Sequence, residues 1–242
     1  MGLVDLHCHL LWAIDDGCET PDETLAAARL LVELGFSDAA PSPHAVQGLP
    51  SGDPARAEAR RADAEVLLRA EGVPLVLHRN AENRLDAEFL ARADGEGRRG
   101  VGGSQRWVLL EVPFDGAVPT LPDLVFRLRR KGIFPLFAHP ERCAEFERPG
   151  RAAEVVRLGA ALQLNVGALA GVYGREARRT AEKLLDEGLY AVAATDLHRA
   201  DGADEWLGEA LAALEKRVGA AAVERLLSVN PRQILAGEEL AR

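Results

Sequence analysis

The sequence predicts an α/β fold in which parallel strands are enclosed by helices and closed into a barrel. Three observations predict it. Strand-like and helix-like stretches alternate along the chain in about seven units, the pattern of parallel strands joined by crossover helices. Residues with chemistry to offer fall at predicted strand ends around the whole chain; barrels collect functional groups there, whereas an open sheet gathers them at one switch point. The chain has 242 residues, 48% of them hydrophobic. That suffices for one sizeable core, and α/β barrels reach this length as single domains. One domain over residues 1–242 is expected, with no internal repeat and no linker. A doubly wound sheet is the alternative fold.

The elements follow in order. Val4-Asp5-Leu6-His7-Cys8-His9-Leu10 reads as a short strand running into a loop. His7 and His9 are two apart, so in extended chain both imidazoles share a face and Cys8 takes the other. Paired imidazoles suit Zn, Fe or Mn, and Asp15-Asp16-Gly17 adds oxygen donors at once. Thr20-Pro21-Asp22-Glu23 is a capping box with proline at the first helical position; its helix stops at Gly35. Ser37 to Pro41 is a buried strand ending near His44. Asp53-Pro54 opens a helix that runs to Gly72. Pro74 to Leu77 is a strand leading to Glu82. Residues 93–106 read as a surface loop. Within it Gly95 to Gly100 matches G-x-G-x-x-G by letter, but without the strand before and helix after that a dinucleotide site needs.

Trp107 to Val112 is a strand with Glu111 near its end. Thr120 caps a helix ending at Gly132, and Ile133 to Ala138 presents His139. A helix from about Gly150 to Leu158 precedes the strand Ala161 to Val166. Another, from about Arg175 to Glu187, closes at Gly188. Tyr190 to Ala194 leads to Asp196, with His198 two residues on. The tail reads as helical through about Leu227, and Asn230-Pro231 starts a last short helix. Of six histidines, His7, His9, His44 and His139 stand at strand ends and His198 just beyond one. His78 fits no such pattern and reads as a surface or packing residue.

Composition excludes several classes. Net charge is −9, with no basic run or aromatic–basic cluster, so nucleic acid is not an expected partner. No apolar stretch reaches membrane-spanning length and no leader pattern precedes the H-x-H motif. Cys8, Cys18 and Cys143 are few and lack C-x-x-C spacing. They fit a reducing cytoplasm and packing as small hydrophobes. Six residues beyond them stand Ile14, Thr24 and Pro149, so the C-x5-R of thiolate tyrosine phosphatases is absent. Walker A, G-x-S-x-G and H-E-x-x-H are absent too.

The ordered set Asp5-Leu6-His7-Cys8-His9-Leu10, Ile14-Asp15-Asp16-Gly17, Ser42-Pro43-His44, Ala81-Glu82, Leu110-Glu111, Ala138-His139-Pro140-Glu141-Arg142, Thr195-Asp196-Leu197-His198 and Asn230-Pro231-Arg232 resembles the PHP (polymerase and histidinol phosphatase) superfamily. Within it the chain looks most like the bacterial tyrosine-protein phosphatases of capsule and exopolysaccharide loci. The motifs run nearly end to end.

The resemblance implies a distorted (β/α)7 TIM-like barrel and two to three divalent ions (Mn, Fe or Zn). The implied ligands are His7, His9, Asp16, His44, Glu82, Glu111, His139, Asp196 and His198. Asp15 is an alternative to Asp16, and Glu82 or Glu111 could stand behind the ligands instead. The expected reaction is phosphoric-monoester hydrolysis by a metal-bound hydroxide. The substrate would be a phosphotyrosine protein, a bacterial tyrosine kinase among the candidates. Small phosphoesters such as histidinol phosphate are the alternative, and a non-catalytic binding module is the third reading.

Arg142 is the candidate catalytic and phosphate-gripping arginine. The relatives carry a second arginine after D-x-H; Ala203 stands at that place, with Arg199 close by as a substitute. Relatives also have basic residues beside the third histidine, where this chain has Ala45 and Val46.

Overall fold

The computed structural model describes residues 2–93 and 98–241. The chain opens with β1 (Leu3–Cys8), α1 (Pro21–Glu33), β2 (Phe36–Pro41), α2 (Pro54–Ala70), β3 (Val76–Leu77), β4 (Glu82–Arg84) and α3 (Ala87–Arg92). It continues through β5 (Trp107–Glu111), α4 (Leu121–Arg130), β6 (Phe134–Ala138), α5 (Ala144–Glu147), α6 (Arg151–Arg157), β7 (Ala161–Asn165), α7 (Gly174–Asp186) and β8 (Tyr190–Ala194). It ends with α8 (Ala203–Val218), α9 (Ala220–Glu224), a π-turn (Arg225–Val229) and α10 (Asn230–Ala236).

Among the described residues, every pairing between named strands is parallel, in two sheets ordered β1-β2-β3 and β4-β5-β6-β7-β8. Isolated bridges join the sheets at both seams, Cys8 with Leu197 and His44 with Glu82. Backbone hydrogen bonds reinforce the seams: His9 N donates to Leu197 O at 2.7 Å, Asp196 N to His7 O at 2.7 Å and Ala45 N to Glu82 O at 2.8 Å. Every seam bond therefore involves a site residue or its immediate neighbour.

Strands such as Phe134–Ala138 are buried at every position, as parallel strands covered on both faces must be. Alternation sorts their side chains into two cores. Leu110, Phe137, Leu162 and Ala193 pack outward with Leu31, Leu128 and Leu214 of the helices. Val4, Leu6, Leu109, Leu136, Ala138 and Val192 form a second cluster with Ile234 of α10.

Local sequence explains most boundaries. Thr20 Oγ1 accepts from Glu23 N at 3.2 Å, and Glu23 returns a bond to Glu19 N at 2.8 Å. Asp53 Oδ1 accepts from Ala55 N at 2.9 Å to start α2. Gly35 takes φ +92° behind α1, a conformation that costs other residues about 1 kcal/mol or more.

Two expectations change, and two elements appear that were not expected. Thr120 stands at the α4 cap position without a side-chain cap bond; the preceding turn is held instead by buried Glu145, which accepts from Val118 N at 2.6 Å. The expected strand over Pro74 to Leu77 forms as β3, but a further strand, β4, begins at Glu82 in the other sheet. Asn80 makes the break by donating to Leu6 O while its own Oδ1 takes Ala81 N, so side-chain bonding replaces the ladder. The tail helix is interrupted at Gly219, φ +81°. The short α3, capped by Asp86, was not expected. Half of the Gly95–Gly100 letter match, residues 95–97, lies outside the described residues.

Candidate metal centre

Every expected ligand arrives at one end of the sheets. His7 is the last residue but one of β1, and His9 directly follows the strand. His44 follows β2, Glu82 opens β4 and Glu111 closes β5. His139 directly follows β6, while Asp196 and His198 follow β8. Two of these positions bend the backbone sharply: His139 has φ 32° and Asp196 φ 54°. Such left-handed non-glycine residues cost on the order of 1–3 kcal/mol and cluster at functional sites.

The side chains converge. His7 Nε2 lies 3.2 Å from Asp196 Oδ1 and 3.3 Å from Glu82 Oε2. His9 Nε2 is 3.4 Å from His7 Nε2 and 3.4 Å from Asp196 Oδ1. His44 Nδ1 is 3.1 Å from Glu82 Oε2, and its Nε2 is 3.3 Å from Asp16 Oδ1. His139 Nε2 sits 2.9 Å from Glu82 Oε1. His198 stacks on His9 with ring centroids 4.1 Å apart.

The donors form four groups, each within 4.8 Å: His9, Asp16, His44 and His198; His7, Glu82 and His139; His7, His9 and Asp196; His44, Glu82 and Glu111. Shared His7, His9, His44 and Glu82 weld the groups into one cluster. Together they take in all nine residues named from the sequence.

Asp15 and Asp16 divide the labour. The Asp15 side chain is buried, meets His9 Nδ1 at 2.9 Å and accepts from His44 N at 3.2 Å. Asp16 has its side chain 64% exposed and faces His44 and His198. Asp15 thus orients a histidine, and Asp16 offers the free oxygen. Gly17 lets the loop close, since a Cβ there would collide with His9 O and Cβ.

The electrostatics suit cations. Burial would lower the His7 pKa, but Glu82 and Asp196 push it up to about 9. Burial would raise Glu82, but His7 and His139 hold it well below the usual carboxylate range. Asp196 is likewise held down by His7 and His9 against burial. A cation bound here would compete with protons for the same histidines. The residues fit such ions. Five imidazoles and four carboxylates give a mixed nitrogen–oxygen donor set, and His139 Nδ1 is buried without a partner. Gln163 Oε1 at 2.8 Å fixes His7 Nδ1, and Asp196 O at 2.9 Å fixes His198 Nδ1. Such outer partners set which ring nitrogen is offered.

Arg142 reaches this cluster. Its Nη1 donates to Asp196 Oδ2 at 3.2 Å, and its guanidinium lies 4.6 Å from the Phe114 ring and 4.3 Å from the Tyr173 ring. It pairs with neither Glu141, which bonds Asn165 N and the Tyr190 hydroxyl, nor Glu145, which pairs with Arg148 and Arg151. Arg199 turns outward to Glu19 at 2.5 Å and Gly17 O at 3.3 Å. Ala203 is buried at the start of α8. His78 is remote from the cluster's contacts and pairs with Asp38 at 2.8 Å.

The three cysteines are free and buried. Burial raises all three thiols: Cys8 well above its ordinary value, Cys18 to about 11, and Cys143 further still. None is a ready thiolate.

Sequence reading missed Gln163, Asn165, Phe114 and Tyr173. Gln163 and Asn165 carried a signal: two polar residues, two apart, on an otherwise apolar buried strand. Asn165 Nδ2 donates to both Asp196 Oδ2 and the Tyr173 hydroxyl.

Comparison with known proteins accords with this geometry. The chain is 29% identical over 242 residues to the tyrosine-protein phosphatase YwqE of Bacillus subtilis (strain 168), covering 99% of this chain and 94% of that protein. It is 21% identical over 239 residues to the tyrosine-protein phosphatase CpsB of Streptococcus pneumoniae, covering 96% and 98%. A crystal structure from the work on these two proteins, described as metal-dependent tyrosine phosphatases, superposes with a TM-score of 0.89 at 28% identity, covering 99% of this chain and 97% of that one. The phosphotriesterase homology protein of Escherichia coli shares the fold, with a TM-score of 0.62 at 14% identity over 97% and 98%. The family described as capsular polysaccharide synthesis, CpsB/CapC, matches residues 3–236, and the chain belongs to it.

Proposed function

We propose that this chain is a metal-dependent protein-tyrosine phosphatase that acts in the cytoplasm on phosphotyrosyl proteins of capsule or exopolysaccharide synthesis, a tyrosine kinase among them. The observation that carries the reading is the convergence of five histidines and four carboxylates at one end of parallel strands. The same nine residues are the proposed ligands of two to three ions of Mn, Fe or Zn. The shared donors favour several ions over one. The two seam bridges and the inner cluster around Ile234 support a closed, distorted (β/α)7 barrel, and a single domain. No helix among the described residues is long and apolar enough to cross a membrane.

Bound divalent ions supply a water of lowered pKa and neutralise charge on a transferring phosphoryl group. The chain's own residues do the rest. Asp15 and Gln163 hold the His9 and His7 rings. Arg142 spends one N–H on Asp196 and keeps the remainder of its planar fork for phosphate oxygens. Arg199 would join it only by leaving Glu19. The buried, high-pKa cysteines exclude a thiolate nucleophile here. The complete donor set favours catalysis over a binding role alone.

The test is elemental analysis of protein purified without chelator, beside hydrolysis of phosphotyrosyl peptides, phosphoseryl peptides and histidinol phosphate. At least two ions per chain and preference for phosphotyrosine are expected, with loss of hydrolysis on chelation. Full activity in metal-free protein refutes the reading.

A further inference from the structure

The geometry points to Phe114 as the specificity-determining residue of an aryl subsite that takes the phenyl ring of the substrate's phosphotyrosine. The inference rests on the phosphatase reading above. Phe114 stands after β5, on the loop whose backbone is pinned by Ala144 N donating to Phe114 O at 2.9 Å. The residue is 40% exposed, although its ring lies beside two site residues. The His139 ring centroid is 5.5 Å away, and the Arg142 guanidinium is 4.6 Å from its centroid. The ring is therefore fixed on one side by the cluster and open on the other.

A phosphate seated between Arg142 and the histidine–carboxylate cluster must direct its ester group away from the donors. The aryl group of a phosphotyrosine then passes the open part of Phe114. Two aromatic rings meeting there gain offset or edge-to-face contact that an alkyl ester cannot match. Tyr173 completes the arrangement from behind. Its ring lies 4.3 Å from the same guanidinium, and Asn165 donates to its hydroxyl at 2.9 Å. Gly167 leaves room for it, since a Cβ there would press within 3.2 Å of Tyr173 Cε2. Tyr173 thus positions Arg142, while Phe114 offers the free aromatic surface. Phosphoserine, with its short alkyl ester, would gain nothing from this wall.

The test separates binding from turnover. Metal-loaded wild type and Phe114→Leu are titrated calorimetrically with phenylphosphonate and methylphosphonate. Leucine keeps an apolar cover over Arg142 but removes the ring. Wild type should prefer phenylphosphonate, and Phe114→Leu should weaken it about three- to tenfold while methylphosphonate moves less than about twofold. KM for phosphotyrosyl peptide should rise in parallel, with kcat within about twofold. Phe114→Ala should shift the same ratio. Should that variant misfold, the leucine variant decides alone. An unchanged phenyl-to-methyl ratio in Phe114→Leu, with wild-type hydrolysis intact, overturns the aryl subsite alone. Selective phenylphosphonate binding by a protein that hydrolyses no phosphomonoester overturns the phosphatase reading instead.

Discussion

Arg142→Ala separates the proposed phosphate grip from the proposed metal centre. The arginine touches the cluster at one point, Asp196 Oδ2 at 3.2 Å. That oxygen keeps a second donor when Arg142 is removed, because Asn165 Nδ2 lies 2.8 Å away. The other oxygen, Oδ1, is the one facing His7 and His9. Asp196 should therefore stay aimed, and metal content should stay at the wild-type level. What disappears is a preorganised fork of donors beside the transferring group. Losing one such donor costs roughly 3–4 kcal/mol, about a hundred- to a thousandfold in rate. Arg142→Lys should recover little, because a point charge cannot reproduce two parallel N–H bonds. The assay is kcat/KM for a phosphotyrosyl peptide, with elemental analysis of the same preparations. Hydrolysis within a few-fold of wild type refutes the clamp. Loss of metal in step with activity would make Arg142 a support of the cluster instead.

Three further outcomes are expected. Gly17→Ala should lose metal and activity together, because the new methyl collides with His9 O and Cβ; normal metal content would count against the Gly17 loop as the closure of the site. Single Cys→Ser changes at Cys8, Cys18 and Cys143 should keep most p-nitrophenyl phosphate hydrolysis, allowing for packing damage in the core, and a trapped phosphocysteine would contradict this. Asp38 is pushed up by burial but held lower overall by Ser37, His78 and Arg232. A depressed carboxyl stabilises the fold above its unfolded pKa and loses that contribution as pH falls through the folded one. Asp38→Asn should therefore cost about 1.5–3 kcal/mol near pH 7, and the gap to wild type should close in acid. A gap independent of pH in chemical denaturation would reject the charged network.

Much of the site was legible because its residues sit at strand ends. A strand's exit point is fixed by a short apolar run, so His7, His44, His139 and Asp196 could be placed without knowing how strands pair. The start of a second strand, β4, at Glu82 in the other sheet was not legible. It depends on Asn80 bonding across to Leu6 O, a contact 74 residues away in sequence. Phe114 and Tyr173 were hidden for a similar reason: neither belongs to a periodic element, and both gain meaning only from where Arg142 lies. Asp15 and Asp16 were adjacent and chemically alike. Only burial separates them, since one is enclosed against His9 while the other faces outward.

The backbone at His139 and Asp196 shows how the fold supports chemistry at some cost to itself. Both residues hold left-handed conformations, φ 32° and 54°, that glycine would adopt more easily. Each bend is anchored locally. Asp196 N donates to His7 O at 2.7 Å, and Arg142 N to His139 O at 2.9 Å. The strain turns each side chain back over the strand ends instead of along the strand, where it would miss the cluster. His139 then meets Glu82, from β4, at 2.9 Å. Asp196 meets His7 and His9, from β1 and the loop after it, at 3.2 and 3.4 Å. Glycine at either position would relieve on the order of 1–3 kcal/mol of strain while removing a donor. The two seams between the sheets run through Leu197 and Glu82, beside these same residues. The contacts that join the sheets and those that gather the donors are therefore one set, and substitutions at the seams should disturb stability and metal binding together.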